Sequence, residues 1–410
     1  MIQGKVPDFH KLRKDFPMLE KTMHGKPLIY LDSAATAHKP QVVIDAIGDY
    51  YQNHYGTVHR AVYELSVYAG EAYQATRRKA QKFLNAAKPQ EIIFTAGTTA
   101  SINLVAYSFG KAFVKPGDEI IVSGMEHHSN IVPWQILCEE RGAVLRVIPL
   151  DDRGELRLDE YAKLLNSKTR LVAVTHVSNA LGTINPIREI VEMAHAAGAK
   201  VLVDGAQAAP HLSIDVQDLD ADFYVFSGHK AFGPTGIGIL YGKEALLDKM
   251  PPYQGGGDMI EKVTFERTTY NTLPLKFEAG TPMIAEVIGL GAALDYLVAV
   301  GSIAIQDYEH SLLTYATNNL EKIKGLRIIG TASNKGALIS FVVDGVHALD
   351  IGTLLDLKGI AVRTGHLCAQ PVMSRFGITA TTRASFAFYN TTEEINAFIR
   401  ALDEIVGTLR

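Results

Sequence analysis

Two residues of complementary chemistry, Asp204 and Lys230, stand in the stretch VLVDGAQAAPHLSIDVQDLDADFYVFSGHKAFGPTGIGIL, residues 201–240. Each lies just past a short apolar run, Val201–Val203 for the acid and Phe223–Phe226 for the lysine. Short apolar runs bounded by turn residues read as buried parallel strands. Ligands bind beyond the C-terminal ends of such strands, where Asp204, Gln207, Ser227, His229 and Lys230 all fall. An acid and a lysine on neighbouring strand ends suit pyridoxal 5′-phosphate. Its aldehyde forms a Schiff base with a lysine, and a carboxylate keeps its ring nitrogen protonated. Ser227 and His229 offer donors to its phosphate. The plainer reading is a strand-end salt bridge between Asp204 and Lys230, with the serine and histidine capping loops.

A second reactive group lies far along the chain, in Arg363-Thr364-Gly365-His366-Leu367-Cys368-Ala369. A strand running out into Gly365 presents the Cys368 thiol on a loop. Free cysteines are most often buried and inert, but Arg363 and His366 favour the thiolate here. An unperturbed thiol titrates near about 8.5 and is only a few per cent ionised near neutrality. Making the anion dominant costs about 2.7 kcal/mol, within what two nearby cations offset. Arg383 follows the polar run Thr379–Thr382; it is either a surface charge or a bidentate grip on a carboxylate, which guanidinium geometry suits. Gly97-Thr98-Thr99 at a helix start is either a plain N-cap or the phosphate's cradle, since free N–H groups and the helix dipole face a ligand there. The adjacent His127 and His128 diverge and have no acid or cysteine at helical ligand spacing, so no metal site is expected.

The segments VLVDGAQA, DFYVFSGHK and GPTGIGILYG resemble the pyridoxal-phosphate enzymes of the aminotransferase class V group. Together with MEHHSNIVPWQ, THVSNALGT and RTGHLCAQP they are similar to the SUF-type cysteine desulfurases, also called selenocysteine lyases. The resemblance runs from about Tyr30 to about Asn390. It implies an α/β fold, transferase fold type I, with a large domain built on a mostly parallel seven-stranded sheet and a smaller α+β C-terminal domain. The expected division is 26–283 for the large domain, and 1–25 with 284–410 for the small one carrying the cysteine loop.

The implied activity converts L-cysteine to L-alanine, leaving the sulfur as a persulfide on Cys368 for an acceptor protein in iron–sulfur cluster assembly. L-selenocysteine is expected to react by the same route. The resemblance stacks His127 on the cofactor ring with a part in proton transfer, and sets Gln207 against the ring's phenolic oxygen. It puts Asn179 at that oxygen or at the substrate carboxylate, though asparagine also suits a plain turn. Arg383 matches the substrate-carboxylate position, with Arg363 and His366 beside the substrate. His59 and Arg60 line the entrance. Thr281, after the Gly255–Gly257 run, matches a threonine that reaches the other subunit's phosphate, which implies a homodimer. Leu349 stands where branches with a zinc-containing acceptor carry histidine, favouring a SufE-type acceptor. Two alternatives remain open: an aminotransferase of the same fold with Cys368 a bystander, and a non-catalytic scaffold.

Composition agrees with a globular chain: 410 residues, 47% apolar, 20% charged. A net charge of −4 without long runs argues against nucleic-acid or membrane-surface partners. With only Cys138 and Cys368, no disulfide framework or four-cysteine zinc site is available. The N-terminal stretch lacks the apolar core of a signal peptide, so a cytoplasmic location is expected.

Strands are expected at Leu28–Leu31, Glu91–Thr95, Ile120–Val122, Val144–Pro149 and Leu171–Thr175, besides the two opening runs. Helices between them make a βαβ series. Ile284–Asn319 is expected to be helical. The tail alternates strands and helices, with strands expected at Ala337–Val343, Ile360–Thr364 and Ala384–Tyr389. A final helix opens at Thr391, with Glu394 completing a capping box.

Overall fold

The structure, a computed structural model, describes residues 7–58 and 61–410. Helices α1 (Gln41–Asn53) and α2 (Glu64–Phe83) precede β1 (Ile92–Thr95). Next come α3 (Thr98–Phe113), β2 (Glu119–Ser123), α4 (Val132–Arg141) and β3 (Val144–Ile148). Helix α5 (Leu158–Leu164), β4 (Thr169–Thr175), α6 (Ile187–Ala196), β5 (Lys200–Asp204), β6 (Phe223–Ser227) and β7 (Gly238–Gly242) follow.

These strands form one seven-stranded sheet in the order β1-β7-β6-β5-β4-β2-β3. Every pairing is parallel except those of β7, which runs antiparallel to β1 and β6. The expected mostly parallel α/β sheet is the one found. Helices cover both faces, so the inner strands read as unbroken apolar runs. Ile121, Val172, Val201, Val203 and Phe226 join one apolar cluster, while Ile120, Leu171, Leu202 and Val225 join the other. The edge strand β3 is largely exposed along Val144–Val147.

Helices α7 (Ile284–Val300) and α8 (Ser302–Leu320) lead to a second, four-stranded sheet. It comprises β8 (Leu326–Ile329), β9 (Leu338–Val343), β10 (Arg363–Gly365) and β11 (Thr381–Ser385), antiparallel in the order β8-β9-β11-β10. Helices α9 (Ala348–Asp356), α10 (Gln370–Arg375) and α11 (Thr392–Leu409) lie between and after its strands. The expected capping box is present at α11, between Thr391 and Glu394. An early segment is woven in: Ile29–Tyr30 pairs in parallel with Ile360–Ala361.

Helix α7, which follows the division expected after position 283, lies against α1 and α2. Its Ile284, Val287, Leu290, Leu294 and Leu297 share the large sheet's apolar cluster, as a helix apolar on most of its faces must be buried. Two stretches differ from the sequence expectation. The helical run expected at Ile284–Asn319 breaks at Gly301, so α7 and α8 are bent by 76°. The strand expected at Ala384–Tyr389 is Thr381–Ser385 instead. Phe388 and Tyr389 leave the sheet to join an aromatic cluster with Phe16 and Phe232. Among the described residues no single helix is long and apolar enough to cross a membrane.

Candidate active site

The C-terminal ends of β1, β2, β4, β5 and β6 open on a cleft of about 340 Å³, closed on its far side by the second sheet. Thr98, Thr99, His127, Asn179, Asp204, Gln207, Ser227, His229, Lys230, Arg363, Cys368 and Arg383 all line it. Residues expected from six separate stretches therefore meet in one place. His366 flanks the cleft on the exposed cysteine loop. Thr281 lies apart, exposed in a recess with Tyr73, Phe94 and Tyr253. A buried pair braces that recess, with Arg77 donating to both Glu278 carboxylate oxygens at 2.8 Å. His59 and Arg60 lie outside the described residues.

Asp204 ends β5 and is buried, its Oδ1 accepting from the Ala206 N–H at 2.9 Å. Burial pushes its pKa up, against the opposing pull of the Ala206 N–H and Lys230. An acid in that state gains most from a cation placed against it. The turn after it lies flat on the buried Tyr224 ring: a Cβ on Gly205 would stand 2.1 Å from Tyr224 Cε1. Tyr224 in turn bonds His176 Nδ1 at 3.1 Å, and burial holds His176 neutral, its pKa down to about 4.

Lys230 follows β6. Burial lowers its pKa to about 8, helped by Arg383 and opposed by Asp204 and Cys368. The amine is thus drawn towards its neutral, nucleophilic form. Beside it, Ser227 Oγ accepts from the Thr98 N–H at 2.8 Å and bonds Thr98 Oγ1 at 2.8 Å. This places two hydroxyls at the N-terminus of α3, an anion site by its dipole and free N–H groups. Gly97, at φ 140°, leaves room there, since a Cβ would come within 3.2 Å of Ser227 Oγ. Ser101 braces the turn from behind through Thr95 Oγ1 at 2.7 Å. His229 is neutral, its pKa lowered to about 4 by burial, Lys230 and Lys39. Gln207 donates to the Ala34 carbonyl at 2.6 Å, which uses one of its two amide hydrogens.

His127 Nδ1 accepts from the Ser129 backbone N–H at 3.1 Å. That acceptor role puts the proton on Nε2. Burial, then Lys230, His128 and Arg383, lower its pKa to about 4, so near neutrality His127 is an uncharged Nε2–H donor. Behind it the buried Glu126 takes the Thr175 N–H at 2.9 Å and the Asn130 amide at 2.7 Å. Asn130 in turn accepts from the Trp134 indole at 2.8 Å. Burial raises the Glu126 pKa to about 8.

On the second sheet Arg363 and Arg383 are direct cross-strand partners, an arrangement that like charges disfavour. Asp32 relieves it. One oxygen accepts from Arg363 at 2.7 Å and the other from Arg383 at 3.1 Å. Arg383, 2% exposed, also donates to the Asn179 carbonyl at 2.9 Å, while its Nε has no partner among the described residues. Two guanidinium charges share one carboxylate, so the pair keeps a net positive charge for a substrate anion. The Asn179 amide nitrogen donates to the Leu367 carbonyl at 2.7 Å.

The cysteine loop is strained: Leu367 and Cys368 both have left-handed backbones, φ 55° and 53°. Cys368 is exposed. Its N–H donates to His366 Nδ1 at 3.1 Å, and its carbonyl accepts from the His128 N–H at 2.8 Å.

Sequence reasoning missed Asp32 and His128. Asp32 carries the signal that marked Asp204, an acid at a strand end, but its partners lie far along the chain. In the sequence His128 reads only as a candidate metal ligand beside His127.

These residues fit pyridoxal 5′-phosphate on the structure alone: a buried acid in want of a cation, a lysine tending to the neutral amine, and a helix N-terminus lined with hydroxyls. The aminotransferase class-V family model matches residues 29–398. A cysteine desulfurase of Synechococcus elongatus is 54% identical over 97% of this chain, which spans 64% of that protein's length. One from Dickeya dadantii is 51% identical, with 96% of each chain covered. The crystal structure of an Escherichia coli cysteine desulfurase superposes with a TM-score of 0.92 at 41% identity, covering 99% of this chain and 100% of that one. The chain belongs to the aminotransferase class-V family of pyridoxal-phosphate enzymes and, within it, to the cysteine desulfurases.

Proposed function

We propose that this protein converts L-cysteine to L-alanine and carries the released sulfur as a persulfide on Cys368. The observation that supports it is the presence of Cys368 in one cleft with Lys230, Asp204 and the two arginines. An aminotransferase needs only the last four.

When bound, pyridoxal 5′-phosphate supplies an electron sink for the charge left at the substrate's α-carbon. Lys230 would hold its aldehyde carbon, Asp204 its ring nitrogen, and Thr98, Thr99, Ser227 and the N-terminus of α3 its phosphate. Arg383 and Arg363 take the substrate carboxylate with the charge that Asp32 leaves over. The neutral Lys230 amine accepts the α-proton. His127 offers its Nε2–H across the same cleft. The Cys368 thiolate then bonds the substrate sulfur as the carbon–sulfur bond breaks. The carbon keeps the bonding pair and takes a proton, leaving alanine.

L-selenocysteine enters the same reading, because selenide leaves more readily than sulfide. So does a homodimer in which the exposed Thr281 reaches the other subunit's phosphate. A leucine at position 349, where branches with a zinc-containing acceptor carry histidine, favours a SufE-type acceptor, and the reading extends to iron–sulfur cluster assembly in the cytoplasm.

The test mixes the holoprotein with L-cysteine and a reductant and quantifies alanine and sulfide together. Cys368→Ala is expected to abolish alanine formation while keeping the cofactor's visible band. Unchanged alanine production would remove the thiol from the reaction. Amino-group exchange with a 2-oxo acid, without sulfide, would favour the aminotransferase.

A further inference from the structure

We propose that His128 is a positioning residue that fixes the reach of the Cys368 thiol into the cleft. This rests on the reading of Cys368 as sulfur acceptor.

Two successive non-glycine residues with left-handed backbones persist only where the surroundings over-determine them. Besides the Cys368 N–H bond to His366 within the loop, four contacts from the rest of the chain do so here. The Leu367 side chain is buried in an apolar cluster with Met125, Leu150 and Leu181. Its carbonyl is held by Asn179 at 2.7 Å. The other two belong to His128, which grips the loop immediately after the Cys368 α-carbon. Its backbone N–H donates to the Cys368 carbonyl at 2.8 Å, and its Nε2 accepts from the Gln370 N–H at 3.2 Å.

Accepting at Nε2 requires the neutral ring with its proton on Nδ1. Burial and the neighbouring His366, with ring centroids 5.6 Å apart, both lower the His128 pKa and hold that form. The grip is itself anchored. His128 opens a three-residue 3₁₀ turn, His128–Asn130, whose Asn130 is tied to Glu126 and Trp134. The residue before that turn is His127, which lines the cofactor cleft.

One short turn therefore holds both the imidazole facing the cofactor place and the loop bearing the thiol, and sets the separation between them. Sulfur transfer needs the attacking and accepting sulfurs in contact and in line. A misplacement of about 1 Å costs about a hundredfold in rate.

The experiment compares wild-type holoenzyme with His128→Ala and His128→Gln. Persulfide formation on Cys368 is followed in a single turnover of L-cysteine by alkylation and mass spectrometry. Affinity for L-alanine, which needs the clamp and cofactor but not the thiol, is read from the cofactor's absorbance. His128→Ala is expected to slow persulfide formation by about tenfold or more and to leave L-alanine affinity unchanged. His128→Gln, whose amide oxygen can accept from Gln370, is expected to recover most of the loss. Wild-type transfer rates in His128→Ala would overturn the assignment. So would a parallel loss of L-alanine affinity, or a His128→Gln variant as slow as His128→Ala. A wild-type enzyme that never forms the persulfide would instead sink the desulfurase reading itself.

Discussion

In the cofactor-free protein the Lys230 amine is expected to titrate near pH 8 rather than 10.5. A shift of that size is about 3 kcal/mol of preference for the uncharged amine. At pH 7 about a tenth of the molecules then carry the nucleophilic form, against about one in three thousand for an unshifted lysine. Burial lowers the value most; Arg383 lowers it further, and Asp204 and Cys368 raise it. Asp204→Asn should therefore move the midpoint further down, and Arg383→Gln should move it up. The assay is competitive acetylation of the apoprotein from about pH 6 to about pH 11, with the Lys230 peptide quantified by mass spectrometry. A midpoint near 10.5 in the wild type, or an upward move in Asp204→Asn, refutes the reasoning. The same shift has a stability consequence. Between about pH 8 and 10.5 the unfolded chain binds more protons at this site than the folded one, so Lys230's contribution to stability rises with pH across that window. Its cost is felt in full below pH 8.

Two substitutions test the supports of the site. Gly205→Ala forces a methyl against the buried Tyr224 ring and is expected to cost about 1–3 kcal/mol and to weaken cofactor retention. An unchanged melting temperature would contradict the close packing seen at that turn. Asp32→Asn leaves two cross-strand guanidiniums without their shared charge. It should lower stability by about 1.5–3 kcal/mol, measured as the denaturant midpoint, and raise KM for L-cysteine as Arg363 swings free. A variant matching wild type in both would show that Asp32 does not organise the pair.

The cofactor half of the site was legible because its signals are local. Asp204 and Ser227 each end a strand apolar enough to be recognised, with Lys230 three residues past the second. The parallel sheet then dictates which ends face the ligand. The thiol was legible only in part: Cys368 after Gly365 reads as a loop cysteine, but nothing near it in the chain announces the strained backbone or the grip of His128. Asp32 was illegible for a related reason. Its role exists only once β10 and β11 pair in the register that sets Arg363 opposite Arg383. The strand misjudged at Ala384–Tyr389 shows the limit of reading apolar runs, since Phe388 and Tyr389 are buried by aromatic packing rather than by a sheet.

The weave of Ile29–Tyr30 with Ile360–Ala361 has a consequence for how the enzyme is made. On the ribosome, every strand of the large sheet and the lysine itself have emerged once Gly242 is out. The Leu31 N–H cannot find the Ala361 carbonyl, its partner at 2.9 Å, until more than a quarter of the chain has been added. At that earlier stage the chain holds Asp204 and Lys230 but neither Cys368 nor the paired Arg363 and Arg383, and it still lacks the α7 residues that complete the large sheet's apolar cluster. The two halves of the cleft are therefore joined only when the chain is almost finished, and Ile29–Tyr30 wait until then for their partners.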